Sequence, residues 1–231
     1  MKKMKRLKLL VTAITLLLSV SSCKQDNYNG PDSTIYGSML DAKTNQLVEQ
    51  DIINGTQIEL IEQGFANPVS QYMVIKNDGT FRNALVFGGT YEIRPVRGNC
   101  LPMEVQRFTV KGNTKIDFLV QPYIRLQNVA IQKTGSKVVA SFNLEQVVPG
   151  KVKKIGLYAH TEAAVGEPLW LVKAEQTIDS STNVNTVYQL EIDLPSNPAL
   201  KQGMQYFFRV GALIDVSEAK PNYATATRLT L

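Results

Sequence analysis

Apolar and polar residues alternate in short runs along most of this chain, and helical periodicity is nearly absent. The segments TQIEL, TYEIRPV and TKIDFLV (residues 56–60, 90–96 and 114–120) each place their large apolar side chains on one face and their polar ones on the other. Gly, Asn, Asp and Pro separate such runs. Period-two alternation is typical of strands with one buried face, so the sequence predicts an all-β chain.

A proline in the middle of the chain predicts a boundary between two domains. Pro122 follows the strand pattern of residues 114–120, and a proline cannot donate a hydrogen bond within a sheet. The residues after position 22 suit two domains of about 100 residues each. We therefore expect two consecutive β-sandwich domains after a lipoprotein signal peptide, at residues 33–123 and 124–231.

Turn signals and apolar runs set the expected strands. Asp78-Gly79 predicts a tight turn joining two antiparallel strands, and no D-x-D-x-D spacing supports the alternative of a calcium ligand at Asp78. Seven strands are predicted in the second domain: Gln127–Lys133, Lys137–Leu144, Lys154–His160, Leu169–Lys173, Val187–Leu194, Gln205–Leu213 and Thr225–Leu231.

The first 22 residues have the pattern of an export signal. A basic head precedes the uncharged run Leu9–Val20, which is short for a membrane span of about 20 residues, and two serines then lead to Cys23. This pattern resembles a bacterial lipoprotein signal, which implies a lipid on Cys23 and a tether over residues 23–32. The polar residues after the cysteine resemble a surface-export signal, so we expect an outer-membrane protein exposed at the cell surface, with the periplasmic face as the alternative.

Composition excludes several other classes of protein. Five of the 25 Lys and Arg residues lie in residues 1–22, so the other 20 balance the 20 Asp and Glu residues. No basic footprint for nucleic acid remains. With Cys23 lipidated, Cys100 has no partner for a disulfide within the chain, and we expect it to be a buried apolar residue.

Several motifs in each half match known sandwich domains. The first half resembles transthyretin-like, carboxypeptidase-regulatory-like domains in Gly37 with Asp41, Asp78-Gly79-x-Phe81 and Gly89-x-Tyr91. The second half resembles fibronectin type III domains in LKQGMQYFFRVGA, residues 200–212, where Tyr206 is placed to hydrogen-bond to the preceding corner. Phe142 stands where that fold usually carries a core tryptophan.

The whole arrangement is similar to that of two-domain Bacteroidetes lipoproteins of unknown function associated with SusC/SusD-type glycan importers. This resemblance implies membrane attachment through lipid, a role in glycan capture and importer proteins as partners. It implies no catalytic residues.

No catalytic or metal-binding motif is present, so we expect neither an enzyme nor a cofactor. His160 is the single histidine, which excludes any two-histidine metal motif. Glu191 and Asp193 lie two apart on a predicted strand, a spacing that would suit paired carboxylates. However, LEIDL places its apolar residues toward the core, so both acids are predicted to face water.

Sugar binding needs less apparatus, namely a flat aromatic ring beside polar groups. Trp170, the single tryptophan, follows Glu167 and Pro168 and is the best candidate, with Glu167 as its polar neighbour. Tyr158, Tyr188 and Tyr223 are weaker candidates. A lone tryptophan packed in the core is the competing interpretation. The two functional hypotheses are therefore a glycan-binding lipoprotein and a docking module for an importer complex that binds no sugar.

Overall fold

A computed structural model describes residues 29–231, and these residues contain strands and no helix. The predicted all-β class with two sandwich domains is confirmed. No helix in the described part of the chain could span a membrane. The first domain has eight strands: β1 Ser33–Asp41, β2 Gln57–Glu62, β3 Ser70–Val74, β4 Thr80–Val86, β5 Gly89–Val96, β6 Gln106–Val110, β7 Asn113–Lys115 and β8 Phe118–Val120.

Two sheets enclose the first core. One has the order β4-β1-β7, with β8 also paired to β1, and the other is antiparallel with the order β3-β2-β5-β6. The predicted alternation places Ile58, Ile93 and Phe118 at the buried face, where each is at most 1% exposed. Phe81 and Phe118 pack with ring centroids 6.0 Å apart.

Gly79 forms the predicted turn, but this turn joins strands of different sheets. Gly79 has a φ of +85° and donates its N–H to the Lys76 carbonyl, while the Asp78 carboxylate accepts the Thr80 N–H at 2.9 Å. A left-handed φ favours glycine. Strand β3 pairs with β2 and strand β4 with β1, so the chain crosses here from one sheet to the other instead of forming a hairpin.

A close approach of two strands explains Gly37. A Cβ at this position would lie 1.7 Å from the carbonyl oxygen of Ile116. Any side chain here would push β1 away from the segment that links β7 to β8. The glycine therefore permits β1 to pair with both short strands.

The second domain consists of β9 Ile124–Thr134, β10 Lys137–Gln146, β11 Val152–His160, β12 Val172–Ser180, β13 Val187–Asp193, β14 Gln205–Ile214, β15 Asn222–Tyr223 and β16 Thr227–Thr230. One sheet has the order β13-β10-β9. The other has the order β12-β11-β14-β15, with β16 also paired to β14. Phe142 is 1% exposed in the core between these sheets, and the centroid of its ring lies 6.1 Å from that of Tyr188.

One predicted strand is misplaced. Leu169–Lys173 was expected to be extended, but Gly166 and Leu169 pair with each other in a tight turn and β12 begins only at Val172. The apolar run PLWLV resembles a strand in sequence. Pro168 at the tip of the turn is compatible with a turn and unfavourable in a ladder, which explains the difference.

Tyr206 makes the predicted corner contact at the start of β14. Its hydroxyl donates to the Ala199 carbonyl at 3.1 Å and accepts the Lys201 N–H at 3.0 Å. The side chain is 3% exposed. One buried hydroxyl thus closes the loop that leads into the central strand of the larger sheet.

Replacing Tyr206 with Phe should destabilise the protein by about 1–3 kcal/mol, because two backbone groups lose their partner. Urea unfolding measures this difference. Tyr188→Phe is the matched control, since the Tyr188 hydroxyl makes no hydrogen bond within residues 29–231, and it should change stability by less than about 0.5 kcal/mol. Equal effects of both substitutions would contradict the role of the corner.

Candidate functional site

The loop between β11 and β12 presents the single tryptophan to solvent. Trp170 is 43% exposed and follows the tight turn of residues 166–169 directly. The backbone N–H of Leu171 donates to the Ala159 carbonyl at 2.8 Å, which returns the chain to β11. Trp170 therefore does not pack in the sandwich core, the competing interpretation from the sequence, and one of its faces is available to a ligand.

A series of ion pairs begins at the Trp170 ring. The Lys173 Nζ lies 4.8 Å from the centroid of the Trp170 ring and 2.7 Å from Glu175. Lys154 pairs with both Glu175 and Glu167. Burial acts to raise the pKa of Glu175, but hydrogen bonds from Lys154, Lys173 and Tyr158 lower it to about 2. The carboxylate is ionised at neutral pH and holds the Lys173 ammonium beside the ring.

Of the other sequence candidates, only Glu167, in the turn before Trp170, has a side chain that is partly accessible. Tyr158 and Tyr223 are 2% and 7% exposed, with their rings packed edge to face at 6.4 Å. The Tyr158 hydroxyl donates to Glu175 at 2.9 Å, and the Tyr223 hydroxyl donates to Asp51 at 2.7 Å. These two tyrosines support the loop from below, and we withdraw them as sugar contacts.

The supporting layer extends into the first domain through Arg209 on β14. This guanidinium is fully buried and bonds to Glu49 at 2.6 Å, and it also donates to four backbone carbonyls, those of Gln50, Asn77, Val165 and Ala224. It lies 4.3 Å from the centroid of the Tyr223 ring. No local sequence pattern marks this residue, because its partner Glu49 lies 160 positions away.

Asp51 is the second buried charge that the sequence analysis missed. It is 3% exposed, and its Oδ1 has no hydrogen-bond partner within the described residues. Burial raises the pKa of Asp51 to about 6, against the lowering effect of the Tyr223 hydrogen bond and of Arg209. No local pattern near residue 51 marks it, because its partner Tyr223 is 172 positions away.

The other candidates form no catalytic arrangement. Glu191 faces solvent in an ion pair with Lys137 at 2.6 Å, as predicted, and Ile192 beside it is 2% exposed. Hydrogen bonds lower the pKa of both Glu191 and Asp193, the reverse of what a proton donor requires. His160 ends β11, where its Nδ1 accepts the Glu162 N–H. Residues 29–231 bring together no three His, Cys, Asp or Glu side chains that could hold a metal.

Cys100 is 5% exposed, and burial raises the pKa of its thiol to about 12. The thiol is therefore protonated and unreactive at neutral pH. Cys23, the predicted lipidation site, lies outside the described residues.

The described residues thus form two consecutive β-sandwich domains, with an exposed tryptophan on a loop of the second. Two family profiles match the chain: the N-terminal domain of a protein of unknown function, DUF3823, at residues 33–121, and the DUF3823_C domain of unknown function at residues 124–228. The chain belongs to the DUF3823 family.

Solved structures agree with this assignment. The crystal structure of a "putative carbohydrate binding protein" from Bacteroides uniformis ATCC 8492 is 38% identical, with a TM-score of 0.81, over 87% of this chain and 100% of the other. DUF3823 proteins from Parabacteroides merdae ATCC 43184 and Bacteroides ovatus ATCC 8483 share the fold at 22% and 24% identity, with TM-scores of 0.76 and 0.72 and the same coverage. No curated protein matches the chain.

Asp51 predicts a pH dependence of stability. An unfolded aspartate ionises near 3.8 and the folded one near 6, so wild-type protein loses stability as the pH rises through this window. Asp51→Asn removes the penalty. The free energy of unfolding of the variant, relative to wild type, should therefore rise by about 2 kcal/mol between pH 4 and pH 7.

Urea unfolding at pH 4, 5, 6 and 7 measures this rise. The charged and titratable groups facing Asp51 are Tyr223, Arg209, Glu167 and Lys220, and all remain in the variant. Asp193→Asn, at an exposed carboxylate, should show no such rise. Parallel curves for Asp51→Asn and wild type would contradict the prediction.

Proposed function

We propose that this chain is a non-enzymatic lipoprotein of the outer membrane that binds glycan at the cell surface. The observation that carries the proposal is the exposed Trp170 ring beside the ion-paired row of Lys154, Lys173 and Glu175. Sugar rings pack their C–H faces on flat aromatics, and adjacent charged groups hydrogen-bond their hydroxyls. The name of the 38% identical Bacteroides uniformis protein supports the same class of ligand.

The ring is held in a way that suits a platform. The buried side chains of Tyr158 and Tyr223 hold the loop beneath the exposed ring. Lys173 covers one part of the ring by a cation–π contact, which restricts the ring without burying it. A rigid aromatic loses little conformational entropy when a ligand binds.

The membrane attachment, the surface location and the absence of catalysis are parts of this proposal. They rest on the signal-like residues 1–22, on Cys23 and on the lack of a recognisable catalytic pair. The transthyretin-like and fibronectin-like names of the two domains likewise remain predictions. SusC/SusD-type importer proteins are the proposed partners.

Trp170→Ala should abolish glycan binding while the protein stays folded. Affinity gel electrophoresis of residues 24–231, which contain the whole compact unit of residues 31–231, tests this against a panel of polysaccharides. We expect one glycan to retard wild type and at least tenfold weaker retardation of the variant. Tyr72→Ala is the matched control, because Tyr72 is 52% exposed but lies on β3 of the first domain. This variant should bind glycan as wild type does.

Retention of all binding by Trp170→Ala would remove the ring from the site. Retardation by no polysaccharide would instead favour the docking module without sugar binding. One observation favours that alternative: Leu47 and Leu119 pair with Leu40 in an apolar row, and they are 44% and 59% exposed. Whole-cell cross-linking from position 119 should then capture an importer protein, and Leu47→Asp in the same protein should abolish the cross-link.

Cys23→Ala should release the protein from the membrane. The lipid is the proposed anchor, so wild type should partition into the membrane fraction and incorporate labelled palmitate, whereas the variant should do neither. Cys100→Ala is the control, since its buried thiol cannot be acylated in the folded protein. A variant at position 23 that remains acylated and membrane-bound would contradict the lipoprotein assignment.

A further inference from the structure

A cavity of about 290 Å³ opens at the junction of the two domains, apart from the Trp170 loop. Its walls come from the connection between β5 and β6, residues 97–105, and from the connection between β14 and β15, residues 215–221. The Lys220 N–H donates to the Gly98 carbonyl at 3.1 Å, and the Tyr123 N–H donates to the Asn99 carbonyl at 3.0 Å. These backbone bonds fix the two walls to each other, so the cavity is preformed.

An unpartnered hydroxyl lines this cavity. Tyr123 is only 6% exposed, yet its hydroxyl makes no hydrogen bond within residues 29–231. The side-chain atoms sealed from solvent without a partner are Asp51 Oδ1 and Thr182 Oγ1, so the Tyr123 hydroxyl keeps solvent contact. This hydroxyl is available to a ligand in the cavity.

The lining carries two charged side chains that make no ion pair in the described part of the chain, one of each sign, while a third, Arg94, is paired with Glu59. Arg97 and Glu218 are both exposed and make no ion pair with residues 29–231. Both have a left-handed backbone, with φ of +52° and +59°. Non-glycine residues in this conformation are strained and are enriched at functional sites. Pro102 and Met103 add an apolar wall.

We infer that this junction cleft, lined by Tyr123, Arg97, Glu218, Pro102 and Met103, binds a single neutral sugar ring at the end of a glycan chain. Hydroxyls can accept from a guanidinium and donate to a carboxylate, so they match both charges. Glu218 would repel an anionic sugar, and Arg97 would repel a cationic one. The volume lies near the lower end of small-molecule sites, about 300 Å³, which suits one ring and excludes a long chain. This inference rests on the proposed glycan binding and adds a second site to it.

Methyl glycosides test the cleft directly. We would titrate residues 24–231 with methyl glucoside, methyl galactoside and methyl N-acetylglucosaminide, measuring binding by calorimetry and ring contacts by saturation-transfer NMR. One glycoside should bind wild type. Tyr123→Phe should weaken it about 3- to 10-fold through one lost hydrogen bond, and Glu218→Gln about tenfold or more through the loss of a charged acceptor.

Matched controls separate the cleft from the fold and from the tryptophan site. Tyr188→Phe makes the same chemical change at a hydroxyl that also lacks a hydrogen bond, and it should bind as wild type. Tyr123→Phe should melt as wild type, because its hydroxyl has no partner in the protein. Trp170→Ala should keep its affinity for the methyl glycoside. Methyl glucuronide should bind more weakly than methyl glucoside.

The outcomes also distinguish this inference from the proposed function. Polysaccharide retardation that depends on Trp170, without binding of any methyl glycoside, would overturn the cleft and leave glycan binding intact. Glycoside binding that is unchanged in both Tyr123→Phe and Glu218→Gln would also overturn the cleft. Glycoside binding that depends on Tyr123, without retardation by any polysaccharide, would support the cleft and reject the Trp170 platform. The absence of both would reject the two proposals together.

Discussion

The buried guanidinium of Arg209 is the contact on which the junction of the two domains depends. An unpaired charge in a protein interior is costly, so Arg209 is stable only where acceptors surround it. Four carbonyls and the Glu49 carboxylate supply them, and they come from both domains. An arginine fits because its planar group has five donors, whereas a lysine could satisfy only three acceptors. The loop that contains Glu49 and Gln50 is therefore held against the outer face of the larger sheet of the second domain.

Further ion pairs and hydrogen bonds between the domains make this junction rigid. Arg125 bonds to Asp41 across the boundary at 2.8 Å, and the Asn222 side chain donates to the Asn99 carbonyl at 2.8 Å. Domains joined by a polar interface commonly move relative to each other. Here the polar groups are buried and paired in specific directions, so displacement would leave several of them without partners. Both the support beneath Trp170 and the walls of the junction cleft follow from this constraint.

Local patterns predicted the fold well, since a sandwich strand has one solvent-exposed face and one buried face. Residues 90–96 alternate because of that geometry, and Tyr206 was found because its corner contact spans only seven positions. The same reasoning failed for the strand expected at Leu169–Lys173, where an apolar run concealed a turn. It also failed for Arg209 and Asp51. Their side-chain partners Glu49 and Tyr223 lie more than 150 positions away, and a charged residue within a strand, as Arg209 is, is normally expected to face water.

The two proposed sugar contacts differ in what each would recognise. A flat, half-exposed ring tolerates many sugars and makes contact along a chain, whereas a small cleft with opposed charges would recognise the end of one. Each contact alone would bind weakly, because a single ring buries little surface. Both contacts would lie on one rigid junction, so little conformational entropy is lost when the same glycan binds at both. Once the glycan is bound at one contact, its effective concentration at the other is set by the fixed geometry. The buried polar network at the junction would then serve binding as well as folding, since its rigidity makes the two weak contacts act together.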